Sequence, residues 1–354
     1  METISRKSLG KIRRSGVDLA HFSPVRESTL GEGKDLPLIL EPAAGHIDLA
    51  EWVRANRSQL EQKLYRHGGF LYRGFGLESA ADFERVASAI CAELYADYGD
   101  LPKGDAKCKV YTSTWYPDDK AILYHQESSH FTNWPRKINF FCLIVAREGG
   151  CSPVVDCRLV YRGLDPKVRQ LFEEKGLKYV RNFMPGIDVP WQTFFHTEDK
   201  NAVEEHCRRN RLECEWTHGG ECLRLNQYCR AVARHYATGE KIFFNQVQLH
   251  HTFCLDPDTR NSLLSMLSAE DLPRQCYFGD GSEISSVIMD HVGETYEKYA
   301  VRFQWQKGDM VTLDNMLVAH ARDPFVGPRK ILVALGDVIT DLELDRINAE
   351  RGHA

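Results

Sequence analysis

The stretch Leu123-Tyr124-His125-Gln126-Glu127-Ser128-Ser129-His130 brings two imidazoles and a carboxylate close together in the chain. It is not a zinc-protease helix. That motif, His-Glu-x-x-His, sets both histidines on one helical face. His125 and His130 stand one position further apart, and a helix turns them away from each other. On a strand, alternate side chains share a face, so His125 and Glu127 point into one interior together. They supply two parts of the 2-His-1-carboxylate triad that holds non-haem Fe(II) and leaves coordination positions open. The run Asp314-Asn315-Met316-Leu317-Val318-Ala319-His320 offers a second histidine just after a strand and turn. Arg322 and Arg329 follow, and Arg329 opens the apolar run Ile331-Leu332-Val333-Ala334-Leu335. A guanidinium pointing into a barrel is costly unless it meets an anion. A carboxylate matches its planar fork. These residues read as a metal and a carboxylate-bearing co-substrate in one pocket.

The elements that must position them are short and strand-rich. Ala121–Glu127, Ile138–Ala146, Lys241–Phe244, Arg302–Trp305, Met310–Leu313 and Lys330–Ile339 are rich in β-branched or aromatic residues. Turn residues bound them, including Gly149-Gly150, Gly308-Asp309, Asp314-Asn315 and Gly327-Pro328. Before them, Asp48 and Glu51 fit a helix-capping box, with Leu49, Trp52, Val53, Leu60 and Leu64 as the apolar stripe. Gly68 and Gly69 stop that helix, and Phe70–Phe75 reads as a strand. A second amphipathic helix carries Phe83, Val86, Ala87, Ile90 and Leu94. Residues 1–30 read as a polar, basic arm, 31–345 as a single domain, about 157–240 as a charged insertion more helical than its surroundings, and 346–354 as a tail. The pattern suggests a sandwich or jelly roll with helices outside.

The bulk properties narrow the function classes. The 354 residues are 43% hydrophobic and carry a net charge of -5, which suits a globular core and not a disordered chain. Mild acidity argues against charge-driven binding to nucleic acid. No apolar run approaches the ~20 residues of a membrane span. No two of the 11 cysteines have C-x-x-C spacing, and the N-terminus lacks a secretory apolar region. Reduced, mostly buried thiols in a cytoplasmic protein are expected. The remaining histidines, His250 and His251 among them, read as loop or pocket-wall residues. Trp134, Trp191 and Phe194 are core or channel aromatics. Arg208-Arg209-Asn210-Arg211 reads as a solvated helix end, with an acidic carrier protein as its alternative partner.

The chain resembles the Fe(II)/2-oxoglutarate-dependent dioxygenases of the taurine dioxygenase and clavaminate synthase-like superfamily, nearest the syringomycin-type hydroxylases. The resemblance runs from about Leu36 to Asp337. It rests on Gly68–Phe75, His125-x-Glu127, Gly149-Gly150-Cys151-Ser152-Pro153 with Asp156, Phe243-Phe244-Asn245-Gln246, Trp305 with Gly308-Asp309, and the 314–329 block. It implies an α+β fold: a double-stranded β-helix (jelly-roll) core with flanking helices and a long mixed insertion. It implies His125, Glu127 and His320 as iron ligands, and Arg329 as the partner of the far carboxylate of 2-oxoglutarate. Ser152 stands where a threonine is usual, His130 where a tyrosine is common, and Ala321 where a glycine is more usual. Arg322 and Asn245 are placed beside the co-substrate. Halogenases of the superfamily lack the carboxylate ligand, so Glu127 argues against halogenation. The implied reaction consumes 2-oxoglutarate and O2, releases succinate and CO2, and hydroxylates an aliphatic C–H. The substrate is then a small amino-acid-like molecule, free or carrier-tethered, in natural-product biosynthesis. Desaturation, cyclisation and epoxidation use the same ligands and stay open. A non-catalytic jelly-roll metal-binding module is the alternative of another class, and the oligomeric state is not legible.

Overall fold

Strand alternation sets the core. In Lys330–Thr340, Ile331, Val333 and Leu335 share one face, and Leu332 and Ala334 the other. All five are buried, because the strand is covered on both sides. The first set packs with Val154, Val318 and Ala319 of a second sheet. The second set packs with Leu49, Leu64, Phe83, Val86 and Ile90 of the outer helices. The computed structural model describes residues 23–95, 109–112 and 116–352.

The large sheet has seven strands, in the order Val25–Ser28, Leu38–Pro42, Gly69–Tyr72, Met310–Asp314, Asn133–Ile144, Lys330–Thr340 and Tyr111–Thr112. Its pairs are antiparallel except Leu38–Pro42 with Gly69–Tyr72. Facing it lies a three-stranded antiparallel sheet: Ile122–His125, Val318–Arg322 and Val154–Asp156. The chain passes from Met310–Asp314 in the large sheet to Val318–Arg322 in the small one through one short turn. These two layers are the double-stranded β-helix.

The outer helices show why local chemistry matters. Asp48 caps Leu49–Ala55 by accepting the Glu51 N–H at 3.1 Å. The single helix expected up to Gly68 is split at Asn56, whose side-chain amide donates to the Trp52 carbonyl at 2.8 Å. Such local side-chain bonding competes with a continuous helix. Arg57–His67 then ends at Gly68, in the left-handed region at φ 76°. A Cβ there would lie 2.6 Å from Val318 Cγ2, so glycine also lets the helix end approach the small sheet. Ser79 and Asp82 form a reciprocal capping box at the start of Ala80–Ile90. Phe83 of that helix stacks on Phe141 of the sheet with centroids 5.4 Å apart. Full burial of such a side chain contributes about 1.5–3 kcal/mol.

Four expectations need correction. Residues 1–22 of the expected arm lie outside the described residues, but Val25–Ser28 is an edge strand with Val25 buried. Residues 346–350 of the expected tail continue the helix Asp341–Glu350. The insertion is mixed, as expected, but longer than 157–240: Leu177–Phe183, Glu213–Thr217 and Cys222–Cys229 join Arg274–Phe278 in a four-stranded antiparallel sheet. The excursion therefore reaches beyond residue 240. Arg302–Trp305 forms no ladder; only Val301 bridges to Val154. The ten cysteines of the described residues are unpaired. Among the described residues, no helix is long and apolar enough to cross a membrane.

Candidate metal centre and co-substrate pocket

The small sheet places the two histidines. His125 and His320 are direct partners across the antiparallel ladder, with ring centroids 4.2 Å apart. Val154 flanks His320 from the other side. The strand ends at His125, so the carboxylate two residues later lies outside the ladder. It still turns toward the imidazoles: one ligand atom from each of His125, Glu127 and His320 lies within 4.8 Å of the others.

The donor set suits a divalent cation. His125 Nδ1 lies 2.8 Å from the Leu123 carbonyl oxygen. As a donor to that oxygen, Nδ1 holds the proton and leaves Nε2 with its lone pair for a metal. His320 is buried, and burial together with the neighbouring His125 holds its pKa well below the usual histidine range. It is therefore a neutral imidazole at physiological pH, as a ligand must be. Its Nδ1 is buried without a hydrogen-bond partner, an orphan that a bound group can relieve. The Phe140 ring packs 5.0 Å from the His320 ring.

The turn before His320 is fixed from within. Buried Asp314 accepts the N–H groups of Met316 and Leu317, each at 3.0 Å. His235 Nε2 lies 3.0 Å from its carboxylate, and the Tyr236 hydroxyl donates to it at 3.2 Å. Burial pushes the Asp314 carboxyl up, but His235 and the two amides outweigh this and hold it below its ordinary value.

The same cavity continues from the imidazoles to Arg329, past Tyr111, Ile122, Phe140, Ile331, Val333 and Leu335. The Arg329 guanidinium donates to the Gly150 carbonyl at 3.1 Å and to the Ser152 hydroxyl at 3.2 Å. Both acceptors are neutral, and among the described residues no carboxylate pairs with it. Burial and the nearby Arg322 push its pKa down to about 10. Ser152 Oγ also accepts the Trp305 indole N–H at 3.1 Å. With its acceptor side engaged by two N–H groups, the hydroxyl proton is free to be donated into the cavity. Gly150 has φ 69°, and a Cβ there would lie 3.1 Å from Arg329 Cδ and 3.0 Å from Ala146 Cβ. The glycine thus admits the arginine.

The other expected site residues divide. Arg322 lines the cavity, but its guanidinium donates to the carbonyls of Tyr116, Pro117 and Lys120 at 3.1, 2.5 and 2.7 Å. It therefore ties the 116–120 loop to the strand that carries His320. Asn245 does not reach the cavity. Its side chain donates to Ala231 O and accepts from Val247 N, each at 3.1 Å, which closes the turn into the helix Val247–His250. His130 packs against His250 and Tyr179, with centroids 4.8 and 5.9 Å away. Burial pushes its pKa down to about 3. Trp134 packs on Phe244 and Trp191 on Trp216, both in the core. Arg208 and Arg209 pair with Glu205, and Arg211 with Asp341, as a solvated helix end does. Sequence reasoning missed Asn315, Trp305 and the apolar walls. Strand alternation from Arg329 would have found Ile331, Val333 and Leu335; no local signal marks Asn315 beyond its turn position.

A jelly roll that gathers two histidines and a carboxylate at one end of a cavity, and at the other an arginine with no acidic partner among the described residues, has the architecture of the non-haem Fe(II)/2-oxoglutarate-dependent dioxygenases. The family model for taurine catabolism dioxygenase TauD, TfdA family, matches residues 32–335, and the chain belongs to that family. It is an enzyme of this class, using Fe(II), 2-oxoglutarate and O2. It is 35% identical over 294 residues to the dapdiamide synthesis protein DdaC of Enterobacter agglomerans, covering 82% of this chain and 89% of the relative. It is 28% identical over 332 residues to the clavaminate synthase-like protein At3g21360 of Arabidopsis thaliana, covering 88% and 97%. Among solved structures, PvcB of Pseudomonas aeruginosa shares the fold with a TM-score of 0.53 and 15% identity, over 92% of this chain and 94% of that one.

Proposed function

We propose that His125, Glu127 and His320 hold the iron, and that Arg329 and Ser152 bind the far carboxylate of 2-oxoglutarate. The observation that carries this reading is the cavity joining the three-residue cluster to a guanidinium that has no acidic partner among the described residues. When bound, iron with 2-oxoglutarate supplies O2 activation coupled to oxidative decarboxylation of the co-substrate. The chain's own residues bind and orient. Leu123 O fixes the His125 tautomer, Arg329 and Ser152 anchor the co-substrate, and Ile331, Val333 and Leu335 keep water from its methylene chain. The whole of 31–345 acts as one domain in this reading, since the site residues span 125 to 329 and a boundary between them would divide the site.

The reaction we propose is hydroxylation of an aliphatic C–H in a small amino-acid-like substrate, free or carrier-tethered, within natural-product biosynthesis. Support comes from the carboxylate at position 127 and from the similarity to a protein named for dapdiamide synthesis. The test is succinate release from 2-oxoglutarate with Fe(II), run against a library of amino acids and their N-acyl derivatives. Stimulated succinate formation and a product heavier by one oxygen are expected. Succinate formation that survives in both His125→Ala and Arg329→Met overturns the site assignment. Product formation without added mass overturns hydroxylation.

A further inference from the structure

Glu127 is the one residue of the cluster that no strand holds. The ladder ends at His125, and Ser128 immediately after Glu127 adopts a left-handed φ of 59°. A carboxylate on such a turn needs another restraint to stay within reach of the two imidazoles. The structure supplies one from across the fold. The Asn315 carboxamide accepts the Glu127 N–H at 2.8 Å through Oδ1 and donates to the Glu127 carbonyl at 2.9 Å through Nδ2. Nδ2 also donates to Pro135 O at 2.8 Å, and the Asn315 backbone N–H donates to Arg136 O at 2.9 Å. Asn315 is fully buried. It sits in the turn that leads into the His320 strand, so one side chain ties the carboxylate's backbone to the segment that carries the second histidine.

We infer that Asn315 is a positioning residue for the Glu127 carboxylate, setting metal affinity through Glu127 while touching neither metal nor substrate. The inference rests on Glu127 being a ligand. A buried amide that holds both main-chain groups of one residue restrains its Cα, and with it the reach of its side chain. The alternative is that Asn315 only closes its own turn, since the bonds to Pro135 and Arg136 would do that alone.

A double-mutant cycle separates the two, with Co(II) titrated into metal-free protein and read by absorbance, and thermal unfolding as the check on fold. Loss of a residue that orients a ligand weakens metal binding by about 10–100-fold. Asn315→Ala is expected to fall in that range, and Asn315→Ala in a Glu127→Ala background is expected to bind no more weakly than Glu127→Ala alone. Should Asn315→Ala fail to fold, Asn315→Asp takes its place; it keeps the acceptor for the Glu127 N–H and loses the donor. Wild-type Co(II) affinity in the single variant overturns the inference. So does an equal further loss in the Glu127→Ala background, which would mark a purely structural role. Glu127→Ala binding Co(II) like wild type is a separate result, and it overturns the ligand assignment itself.

Discussion

Removing Arg329 should move stability and function in opposite directions. At neutral pH the guanidinium is charged in both the folded and the unfolded chain. A folded-state pKa pushed down to about 10 therefore means that folding is opposed at that pH. At about 1.4 kcal/mol per pH unit, the penalty is about 3 kcal/mol. The bonds to Gly150 O and Ser152 Oγ return part of it, at about 1 kcal/mol each. Arg329→Met keeps most of the side-chain volume and removes the charge, leaving the Gly150 carbonyl without this donor. The free protein should then be as stable as wild type or more stable by up to about 2 kcal/mol. Co-substrate binding should suffer instead. Two charge-assisted hydrogen bonds at about 1.5–3 kcal/mol each correspond to a loss of at least about 100-fold in affinity. The assay is thermal unfolding of the Mn(II)-loaded protein with and without 2-oxoglutarate. At a hundred times its Kd, the ligand stabilises wild type by about 2.7 kcal/mol. The variant should show no shift at that concentration and no fall in its own Tm. A Tm lowered by several degrees with an unchanged ligand shift would refute the reasoning, because Arg329 would then be a structural residue.

Three further outcomes are expected. Ser152→Ala should raise the 2-oxoglutarate KM by about 10-fold, and Ser152→Thr should restore it, as steady-state kinetics would show; equal KM values in all three proteins would contradict the hydroxyl's role. Gly150→Ala places a Cβ against Arg329 Cδ at a φ of 69°, so it should destabilise by about 1–3 kcal/mol in urea unfolding and weaken 2-oxoglutarate binding as well. Asp337 is held below its ordinary pKa: burial pushes it up, but Lys137, 3.0 Å away, and the Glu93 and Ala92 amides outweigh that. Its contribution is therefore present above its unfolded pKa of about 4 and lost as pH falls through the lower folded value. Because Lys137 keeps Glu61 at 3.0 Å, Asp337→Asn should cost about 1.5–3 kcal/mol at pH 7, with the gap to wild type narrowing as pH falls below about 4.

The sequence made some of this legible and hid the rest for physical reasons. Alternation put His125 and Glu127 on one side, and the structure agrees on the side although the strand stops at His125. Their meeting with His320 depends on a ladder between segments far apart in the chain; the residue types made His320 a candidate, and the family resemblance gave the pairing its weight. Asn245 misled because a buried amide beside a conspicuous Asn-Gln pair looks the same whether it faces a pocket or caps a turn. Within the insertion the charged helices are locally visible, whereas Leu177–Phe183 gains its strand character from Cys222–Cys229 and Arg274–Phe278. Arg302–Trp305 has strand-like composition without a neighbour to pair with. It serves to bring Trp305 to Ser152.

The order of the large sheet has a consequence for how the enzyme is made. Met310–Asp314 lies between Gly69–Tyr72 and Asn133–Ile144, and Lys330–Thr340 lies between Asn133–Ile144 and Tyr111–Thr112. A nascent chain leaving the ribosome N-terminus first therefore holds three separated pieces of this sheet, with two gaps that only the segments after residue 309 fill. Until then, apolar strands with open edges wait for partners, which makes slow folding and early aggregation the natural hazards of this topology. The same delay is protective. Because His320 arrives with those same segments, a shorter nascent chain carries at most two of the three proposed ligand residues, and the candidate metal centre forms only once both sheets are filled.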